Sequence, residues 1–311
     1  MAAMDISIII PAYNRLWSLP QTIDSCRNNK CRVEIIVIDD GSSDGTATWL
    51  ARQNDLVILS QPNSGKCVAV NKAFEIAKGK YIRFLDSDDL ISQGANDQQF
   101  ELAEAGFADI VVSGYQLFER EGQILKVQPW ADTDDFIARQ LGEGDGSHYS
   151  AFLFKKDFIT DITHRQEFAL RDDRFFILEV ALKEPKVAAH KGAALIHRVA
   201  HHDRLQISSG VKQHLQNSQH LGLYKNILNK LRTSGKLTPR RINAAINILW
   251  PLAHWIAIYD LGEAARLVNW IRALNPEFKA PEPGLLGKCY QKLGFVNTEK
   301  LLRLRRKFLL R

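Results

Sequence analysis

The stretch "VEIIVIDDGSSDGTATWLARQ", residues 33–53, decides the fold. It begins with an apolar run rich in β-branched residues (33–39), which predicts a buried strand. An acidic turn rich in glycine and serine follows at 39–46, and Asp, Gly and Ser are the residues that dominate turns. The spacing from 44 to 53 then predicts a helix. The stretch is therefore one strand–turn–helix unit.

The same alternation runs through the first ninety residues. Further strands are predicted at 6–10, 56–60 and 81–85, and further helices at 16–29 and 65–79. Apolar strands that alternate with helices predict an α/β fold, Rossmann-like, with a mostly parallel sheet and helices on both faces. In such sheets, ligands bind beyond the carboxyl ends of the strands.

The rest of the chain is mixed and then helical. The middle predicts an antiparallel strand pair around Glu121 and Gly122, a helix at 173–183, and two edge strands, "KVAAH" and "AALIHRVA". Helices at 211–232, 239–258 and 262–274 follow, with a Pro-rich linker at 275–284 and a final helix at 297–310. The tryptophans of this helical region, Trp250, Trp255 and Trp270, are predicted to be core residues. We expect three parts. An α/β domain at 1–208 would carry the ligand-binding and catalytic site, a helical domain would follow at 209–280, and a linker with a basic amphipathic C-terminal helix would occupy 281–311.

The composition excludes several classes of protein. The chain is 45% hydrophobic and 24% charged, which is ordinary for a soluble globular protein. Most of its net charge of +6 lies in 297–311, which carries six basic residues against one acidic residue, so no nucleic-acid partner is expected. The four cysteines match no zinc pattern, and the chain shows neither a secretion signal nor an apolar run of membrane-spanning length. These features predict a cytoplasmic protein.

Acidic side chains gather where the predicted strands end. Asp86, Asp88 and Asp89 follow the fourth strand, with Ser87 between them, although like charges at short distance destabilise one another. A divalent cation, Mn²⁺ or Mg²⁺, would offset this repulsion and bridge carboxylates to phosphates. Taken singly, each acidic stretch is also explained as a surface turn or as a helix N-cap. Two acidic stretches, at 39–46 and 86–89, and the polar "PAYNR" at 11–15 all follow predicted strands, and together they favour a shared nucleotide site.

Four stretches resemble family 2 glycosyltransferases with the GT-A fold. They are "SIIIPAYNR", "EIIVIDDGSSDGT", "NSGKCVAVNKAFEIAKGKYIRFLDSDD" and the later "RDDRFF". The resemblance is strong over residues 5–90 and looser over 150–208. It implies inverting transfer of a sugar from a nucleotide-sugar, commonly a UDP-sugar, with a divalent metal. It also implies a glycan or lipid-linked saccharide acceptor in cell-surface polysaccharide synthesis.

The resemblance assigns roles residue by residue. It implies a general base in "RDDRFF", where Asp173 holds the family's position and Asp172 stands beside it. It implies metal ligands at Asp86, Asp88 and His202, with His201 as the alternative to His202. The implied nucleotide-sugar-binding residues are Pro11, Ala12, Tyr13, Asn14, Arg15, Asp39, Asp40, Asn63, Lys66, Asp86 and Ser87.

Other functions remain to be weighed. A nicotinamide-dependent oxidoreductase needs G-x-G-x-x-G after the first strand, but the turn here is "PAYNRL". A nucleotidyltransferase normally has a glycine-rich basic loop at that turn, and this sequence has none there. A non-catalytic sugar-nucleotide-binding protein needs the same acids, so the sequence is compatible with that alternative.

The tail "TEKLLRLRRKFLLR" is amphipathic and basic, which is typical both of a helix lying on the inner face of an anionic membrane and of a helix docked on the protein.

Overall fold

The structure is a computed structural model that describes residues 4–119, 123–199 and 210–309, with side chains up to residue 304. The chain forms two compact units. The first unit comprises Met1–Asp134 and Gly146–Ile207, and the second comprises Asp135–Asp145 and Ser208–Arg311. The short segment 135–145 therefore belongs with the C-terminal helices, although it precedes them in the chain.

A nine-stranded sheet forms the centre of the first unit, as far as the structure describes it. The sheet order is β3-β2-β1-β4-β8-β6-β9-β5, and β7 pairs with β6. The strands are β1 Ile6–Ala12, β2 Val33–Asp39, β3 Val57–Ser60, β4 Tyr81–Phe84, β5 Leu90–Ile91, β6 Ile110–Phe118, β7 Ile124–Gln128, β8 Leu153–Lys155 and β9 Val187–Arg198.

The parallel half of the sheet follows directly from the apolar runs. Strand β1 pairs in parallel with β2 and β4, and β2 pairs in parallel with β3. Isoleucines of β1 and β2, among them Ile8, Ile9 and Ile36, are fully buried, as expected for strands covered on both faces. The predicted α/β fold is confirmed, and the carboxyl ends of β1, β2 and β4 lie at one edge of the sheet.

The helices of the first unit are α1 Leu19–Ser25, α2 Thr46–Leu50, α3 Lys66–Ile76, α4 Ala95–Gly106, α6 Lys156–Ile159 and α7 Asp172–Leu182. The first three of them are shorter than predicted, whereas α7 has the predicted length. Helix α1 does not begin at 16 because residues before it form a turn, in which the Ser18 N–H donates to the Arg15 carbonyl at 3.0 Å. The polar residues between β1 and α1 are therefore outside the helix and lie at the carboxyl edge of the sheet.

The prediction of two edge strands at 187–199 is wrong. The two segments form one strand, β9, which lies inside the sheet between β6 and β5. The pairing of β6 with β9 shifts at Ser113 and Gly114, because Lys191 and Gly192 bulge out of the strand. The Ser113 hydroxyl donates to the Gly192 carbonyl at 2.7 Å and closes this bulge.

The second unit is helical. Its helices are α5 Phe136–Leu141, α8 Gly210–Thr233, α9 Pro239–Ala257, α10 Leu261–Leu274 and α11 Gly284–Leu309. Within the part of the chain that is described, none of the helices combines the length and apolar character that a bilayer crossing requires.

Two predictions for this helical region need correction. The segment labelled α11 consists of two helices that meet at Gly294, whose φ of 76° is left-handed; the second corresponds to the predicted final helix, whereas the first, which begins at 284, was not predicted. Of the three tryptophans predicted as core, Trp250 is 4% exposed, but Trp255 is 51% exposed and Trp270 is half-buried. Helical spacing identifies an amphipathic face without telling which aromatic residues lie at its border.

A close approach of strands makes Gly79 essential to the parallel sheet. The Gly79 N–H donates to the Ser7 hydroxyl at 2.7 Å, and that hydroxyl donates to the buried carboxylate of Glu34 at 2.5 Å. A Cβ atom on Gly79 would lie 2.3 Å from the Ser7 backbone nitrogen. No side chain fits there without moving β1.

We predict that Gly79→Ala lowers the free energy of unfolding by about 1–3 kcal/mol, the usual cost of overpacking a tight site. Gly106→Ala is the matched control, because a Cβ at Gly106 meets nothing within 4 Å. Urea denaturation of both variants measures the difference. Equal stability of the two variants would contradict the proposed close approach.

Candidate functional site

The ends of β1 and β2 are locked together by hydrogen bonds. The Asn14 N–H donates to the Ser42 hydroxyl at 2.8 Å, and the Ser43 N–H donates to Asn14 Oδ1 at 2.8 Å. Asn14 has a φ of 52°, which asparagine tolerates better than most residues. This leaves the ring of Tyr13 46% exposed at the rim. Arg15 donates to the Tyr13 carbonyl at 3.3 Å, so its guanidinium stays at the same rim.

Asp40 organises the loop that precedes α3. Its buried carboxylate accepts hydrogen bonds from the backbone N–H groups of Ser64 at 2.8 Å and Gly65 at 2.9 Å, and from the Gln61 side chain at 2.7 Å. Asp39 lies beside it, buried, and accepts from the Ser42 N–H at 3.3 Å. The carboxylate of Asp40 therefore holds the backbone that leads into Lys66.

The remaining residues of the implied nucleotide pocket lie on the same loops. Pro11 is half-buried, and the carbonyl of buried Ala12 accepts from the Asp40 N–H at 2.8 Å. Asn63 is exposed, and its backbone nitrogen would lie 2.8 Å from a Cβ on Gly41, whose φ is +78°. Gly41 therefore allows the two loops to approach each other.

Lys66 offsets the charge of the acids that follow β4. Its Nζ lies 2.9 Å from Asp86 Oδ1. Burial alone would lower the pKa of Lys66, but the carboxylates of Asp172, Asp86 and Asp173 raise it well above its ordinary value. Burial alone would raise the pKa of Asp86, but Lys66, with help from His148 and His197, lowers it. A lysine from α3 thus contributes part of the positive charge that the sequence assigned to a metal.

The other acids of the "DSDD" group have separate surroundings. Asp89 is fully buried and accepts from His197 Nδ1 at 2.8 Å and from the Arg198 N–H at 3.0 Å. The Asp88 side chain is half-buried, and its carbonyl accepts from Arg198 Nε at 3.1 Å. Ser87 is buried, and its carbonyl accepts from the hydroxyls of Ser18 and Thr22, which fixes the turn rather than contacting open space. Asp86, Asp88 and Asp89 thus each have partners of their own, and these partners offset the repulsion between the neighbouring carboxylates.

Two histidines complete this centre. The rings of His148 and His197 lie with their centroids 4.4 Å apart. Together with Asp89 they offer ligand atoms that all lie within 4.8 Å of one another. Burial and the neighbouring His197 lower the pKa of His148, so this imidazole favours its neutral form.

The metal-ligand set implied by the sequence is only partly described. His202 and its alternative His201 lie outside the described residues. Asp89 and His197 were not predicted as site residues, and His148 lay in a segment with no motif. Only the pairing of β5 with β9 brings Asp89 to His197, so no local signal in the sequence reveals this cluster.

Asp172 belongs to a buried hydrogen-bond chain. His164 Nδ1 lies 3.0 Å from Asp172 Oδ2, and its Nε2 lies 2.7 Å from the Tyr149 hydroxyl. An Nδ1–H that donates to the carboxylate leaves Nε2 to accept from Tyr149. Burial alone would raise the pKa of Asp172, but Lys66 and His164 lower it. Asp172 is therefore held ionised and in a fixed orientation.

Asp173 is the more accessible acid of the two. It lies with Asp172 in the first turn of α7, where the helix dipole favours negative charge. Its carboxylate is half-buried, and its Oδ1 accepts from the Arg174 N–H at 2.7 Å. Of the pair, Asp173 is thus the more accessible carboxylate.

The chain resembles known glycosyltransferases. The sequence model of the family "Glycosyl transferase family 2" matches residues 7–162. A putative teichuronic acid biosynthesis glycosyltransferase of Bacillus subtilis is 33% identical over 126 residues, covering 39% of this chain and 50% of that protein. The GalNAc(5)-diNAcBac-PP-undecaprenol beta-1,3-glucosyltransferase of Campylobacter jejuni is 28% identical over 245 residues, covering 74% and 76%.

A solved structure has the same fold. Residues 1–349 of S. aureus TarS, in complex with UDP-GlcNAc, match with a TM-score of 0.56 and 16% identity, covering 97% of this chain and 92% of that one. At this identity the match supports the fold alone. The chain spans about half the length of the first relative named above and about three quarters of the second.

We predict that Lys66→Met lowers the free energy of unfolding by about 2–3 kcal/mol, because it leaves partly buried carboxylates without their cation. Lys72→Met on the same helix is the matched control, because Lys72 is exposed. Chemical denaturation of both variants measures the effect.

The loss should depend on pH. The pKa values of Asp86 and Asp172 are lowered in the folded protein, so their stabilising contribution is present above about pH 4 and is lost as the pH falls below it. The deficit of Lys66→Met should therefore be largest above about pH 4 and should shrink as the pH falls below 4. A deficit that does not change with pH would contradict the proposed charge pairing.

Proposed function

We infer the function of this chain from its family: the chain belongs to glycosyl transferase family 2. We propose that it transfers a sugar from a nucleotide-sugar, with a UDP-sugar as donor, to a hydroxyl of a glycan or lipid-linked acceptor in cell-surface polysaccharide synthesis. The names of the two relatives above support this class of acceptor, and the UDP-GlcNAc bound by the TarS structure supports this class of donor.

One observation carries the proposal. Lys66 Nζ lies 2.9 Å from Asp86, which follows β4, and the carboxylates of Asp172 and Asp173 at the start of α7 also raise the pKa of Lys66 against the effect of its burial. A donor-binding segment and a base-bearing segment far apart in the chain therefore share one centre. This is the arrangement that sugar transfer needs, because the base must stand close to the donor.

The proposed reaction uses Asp173 as the base. An acceptor hydroxyl is a weak nucleophile, so a carboxylate must take its proton as the hydroxyl attacks the sugar carbon. The bond from that carbon to the diphosphate oxygen breaks, and the diphosphate leaves with the bonding electrons. His164 orients Asp172, which does not take the proton in this proposal. The carboxylate of Asp172 instead helps to keep Lys66 positively charged. A single base opposite the leaving group gives inversion at the sugar carbon.

The proposed donor pocket lies at the ends of β1, β2 and β4. The exposed ring of Tyr13 is placed to stack on a base, and Arg15 and Lys66 are placed to contact phosphate. Asp39, Asp40 and Asn63 would line the base pocket, although Asp40 also holds the loop that carries Ser64 and Gly65. Asp86 would accept from a ribose hydroxyl through the oxygen that Lys66 does not hold.

We propose a divalent cation, Mn²⁺ or Mg²⁺, as the cofactor. Carboxylate oxygens suit both ions. The described residues that fit are Asp88 and the cluster of Asp89, His148 and His197, whereas Asp86 is tied to Lys66. Bound there, the ion would supply positive charge that stabilises the departing diphosphate.

We predict that Asp173→Asn lowers the rate of sugar transfer by about 10²–10⁴-fold, the usual contribution of a general base, with donor affinity nearly unchanged. Asp172→Asn should instead lower both activity and stability, because it weakens the contact to His164. Transfer from UDP-glucose and UDP-N-acetylglucosamine in Mn²⁺ measures activity, and calorimetric titration with UDP measures affinity.

The two variants also test the alternatives. Equal loss of transfer and of UDP affinity in Asp173→Asn would reject its role as the base. Wild-type protein that binds UDP-sugars in Mn²⁺ but neither transfers nor hydrolyses them would instead be a non-catalytic sugar-nucleotide-binding protein.

We also propose that the last part of α11 contacts an anionic membrane. Leu301 and Leu304 are about half exposed on this helix, beside the exposed Lys300. The sequence continues with Arg305, Arg306 and Lys307, and each basic residue near an anionic surface contributes about 1 kcal/mol. The exposed leucines can enter the apolar part of the bilayer, and the basic residues beside them are attracted to the anionic headgroups.

We predict that the double variant Leu301→Glu and Leu304→Glu lowers sedimentation with phosphatidylglycerol-containing vesicles at least about fivefold. Leu285→Glu is the control, because Leu285 is an exposed leucine of the helix that precedes the break at Gly294. Deleting 297–311 is a poorer test, since it removes buried Glu299, which accepts from Tyr290 at 2.7 Å. Unchanged sedimentation of the double variant would favour a helix that serves only packing.

A further inference from the structure

The second unit contains a groove between α8 and α10. Its volume is about 390 Å³, and its walls include Trp270 and Leu274 of α10 and Lys225, Asn226, Asn229 and Arg232 of α8. The candidate transfer site of the first unit uses none of these residues. The groove therefore needs an explanation of its own.

Trp270 gives the groove an aromatic wall. This indole is half-buried, in contrast to Trp250 of the same unit, which is 4% exposed and donates through Nε1 to Glu282 at 2.7 Å. Trp270 takes part in no hydrogen bond among the described residues. A tryptophan that serves only packing is normally covered, and its N–H is normally paired when buried. Trp270 instead lines the groove with a half-buried indole whose N–H has no partner among the described residues.

The polar residues of the groove carry amides and positive charge. Asn226 Oδ1 is shielded from solvent and accepts no hydrogen bond, and such unsatisfied groups are uncommon in folded proteins. Lys225 and Arg232 are exposed, and Arg232 donates to Asn229 Oδ1 at 2.8 Å. The described lining contains no acidic residue, so the two cations are not neutralised within the groove.

We propose that this groove binds an anionic saccharide, with a sugar ring against Trp270 and a phosphate or carboxylate beside Lys225 and Arg232. The C–H face of a pyranose packs on an aromatic ring, and its hydroxyls pair with accessible amides such as that of Asn229. The cations add attraction for negative charge, which a site for neutral sugars does not need. An apolar ligand would instead leave these amides and cations without partners.

The proposal rests on the proposed function and names the class of its acceptor. A glycan that grows on a phosphate-containing carrier, or that carries acidic sugars, presents the required combination of ring and negative charge. The groove would hold such a chain through a saccharide unit distinct from the reacting hydroxyl. Binding at this groove is measurable without a donor, so it is separable from the transfer reaction.

Calorimetric titration of the full chain, with UDP present to occupy the donor site, tests the proposal. The probes are N-acetylglucosamine 1-phosphate, N-acetylglucosamine and inorganic phosphate. We predict that the sugar phosphate binds the wild type more tightly than either other probe. Trp270→Ala should weaken that binding about fivefold or more, whereas Trp270→Phe, which keeps an aromatic face, should retain most of it.

Two further variants complete the test. Trp255→Ala is the matched control, because Trp255 is an exposed tryptophan of α9 outside the groove, and it should bind as the wild type does. Lys225→Glu reverses an exposed charge without opening the core, and it should weaken binding of the sugar phosphate more than binding of N-acetylglucosamine.

The outcomes separate this proposal from the transfer function. Equal binding by the wild type, Trp270→Ala and Lys225→Glu overturns the groove proposal, even if transfer is normal. Binding of inorganic phosphate as tight as that of the sugar phosphate also overturns it, because the indole then contributes nothing. Loss of UDP binding in Trp270→Ala would mean a general structural defect and would remove the claim of a separate site. A chain that transfers no sugar but shows the predicted groove binding would reject the proposed function alone.

Discussion

The candidate site depends on a lysine placed where a helix alone would not favour it. Lys66 is the first residue of α3, and the positive end of a helix dipole disfavours a cation there. The carboxylates of Asp86 and Asp172 supply the compensating attraction. Asp40 fixes the position by holding the backbone of Gly65, directly before the helix. The acid after β2 therefore acts on the centre of the site through the backbone that it holds.

The sequence predicts the parallel half of the sheet well because the information there is local. Each strand is a short apolar run, each helix follows within a few residues, and the parallel order follows from their alternation. Strand β9 was misjudged because Gly192 and its neighbour form a bulge, so one long strand reads as two short ones. Likewise, no local sequence pattern predicts that α5 belongs to the second unit. It depends on contacts such as the Tyr224 hydroxyl donating to the Leu141 carbonyl at 3.0 Å.

The site shows the same division between local and distant information. The motifs close to the strand ends include Asp40, Lys66 and Asp86. Asp40 holds the backbone of Gly65 directly before Lys66, and Lys66 in turn contacts Asp86. The cluster of Asp89, His148 and His197 joins three segments that are far apart in sequence, and no spacing rule predicts it. Asp172 and Asp173 are adjacent in sequence, yet one is buried against His164 and the other is accessible. Their difference arises from the orientation of α7, which a motif does not encode.

The balance of charge at this centre limits what can bind there. Asp86, Asp172 and Asp173 bring three carboxylates to one lysine, so the immediate centre has an excess of negative charge. A diphosphate would add more negative charge and would compete with Asp86 for Lys66. In a partly buried site such repulsion is weakly screened by water and salt. On the proposed function, further positive charge, from Arg15 at the rim or from a bound cation, would favour the binding of a nucleoside diphosphate. The half-buried Asp88 and the imidazoles of His148 and His197 have the chemistry to hold such a cation.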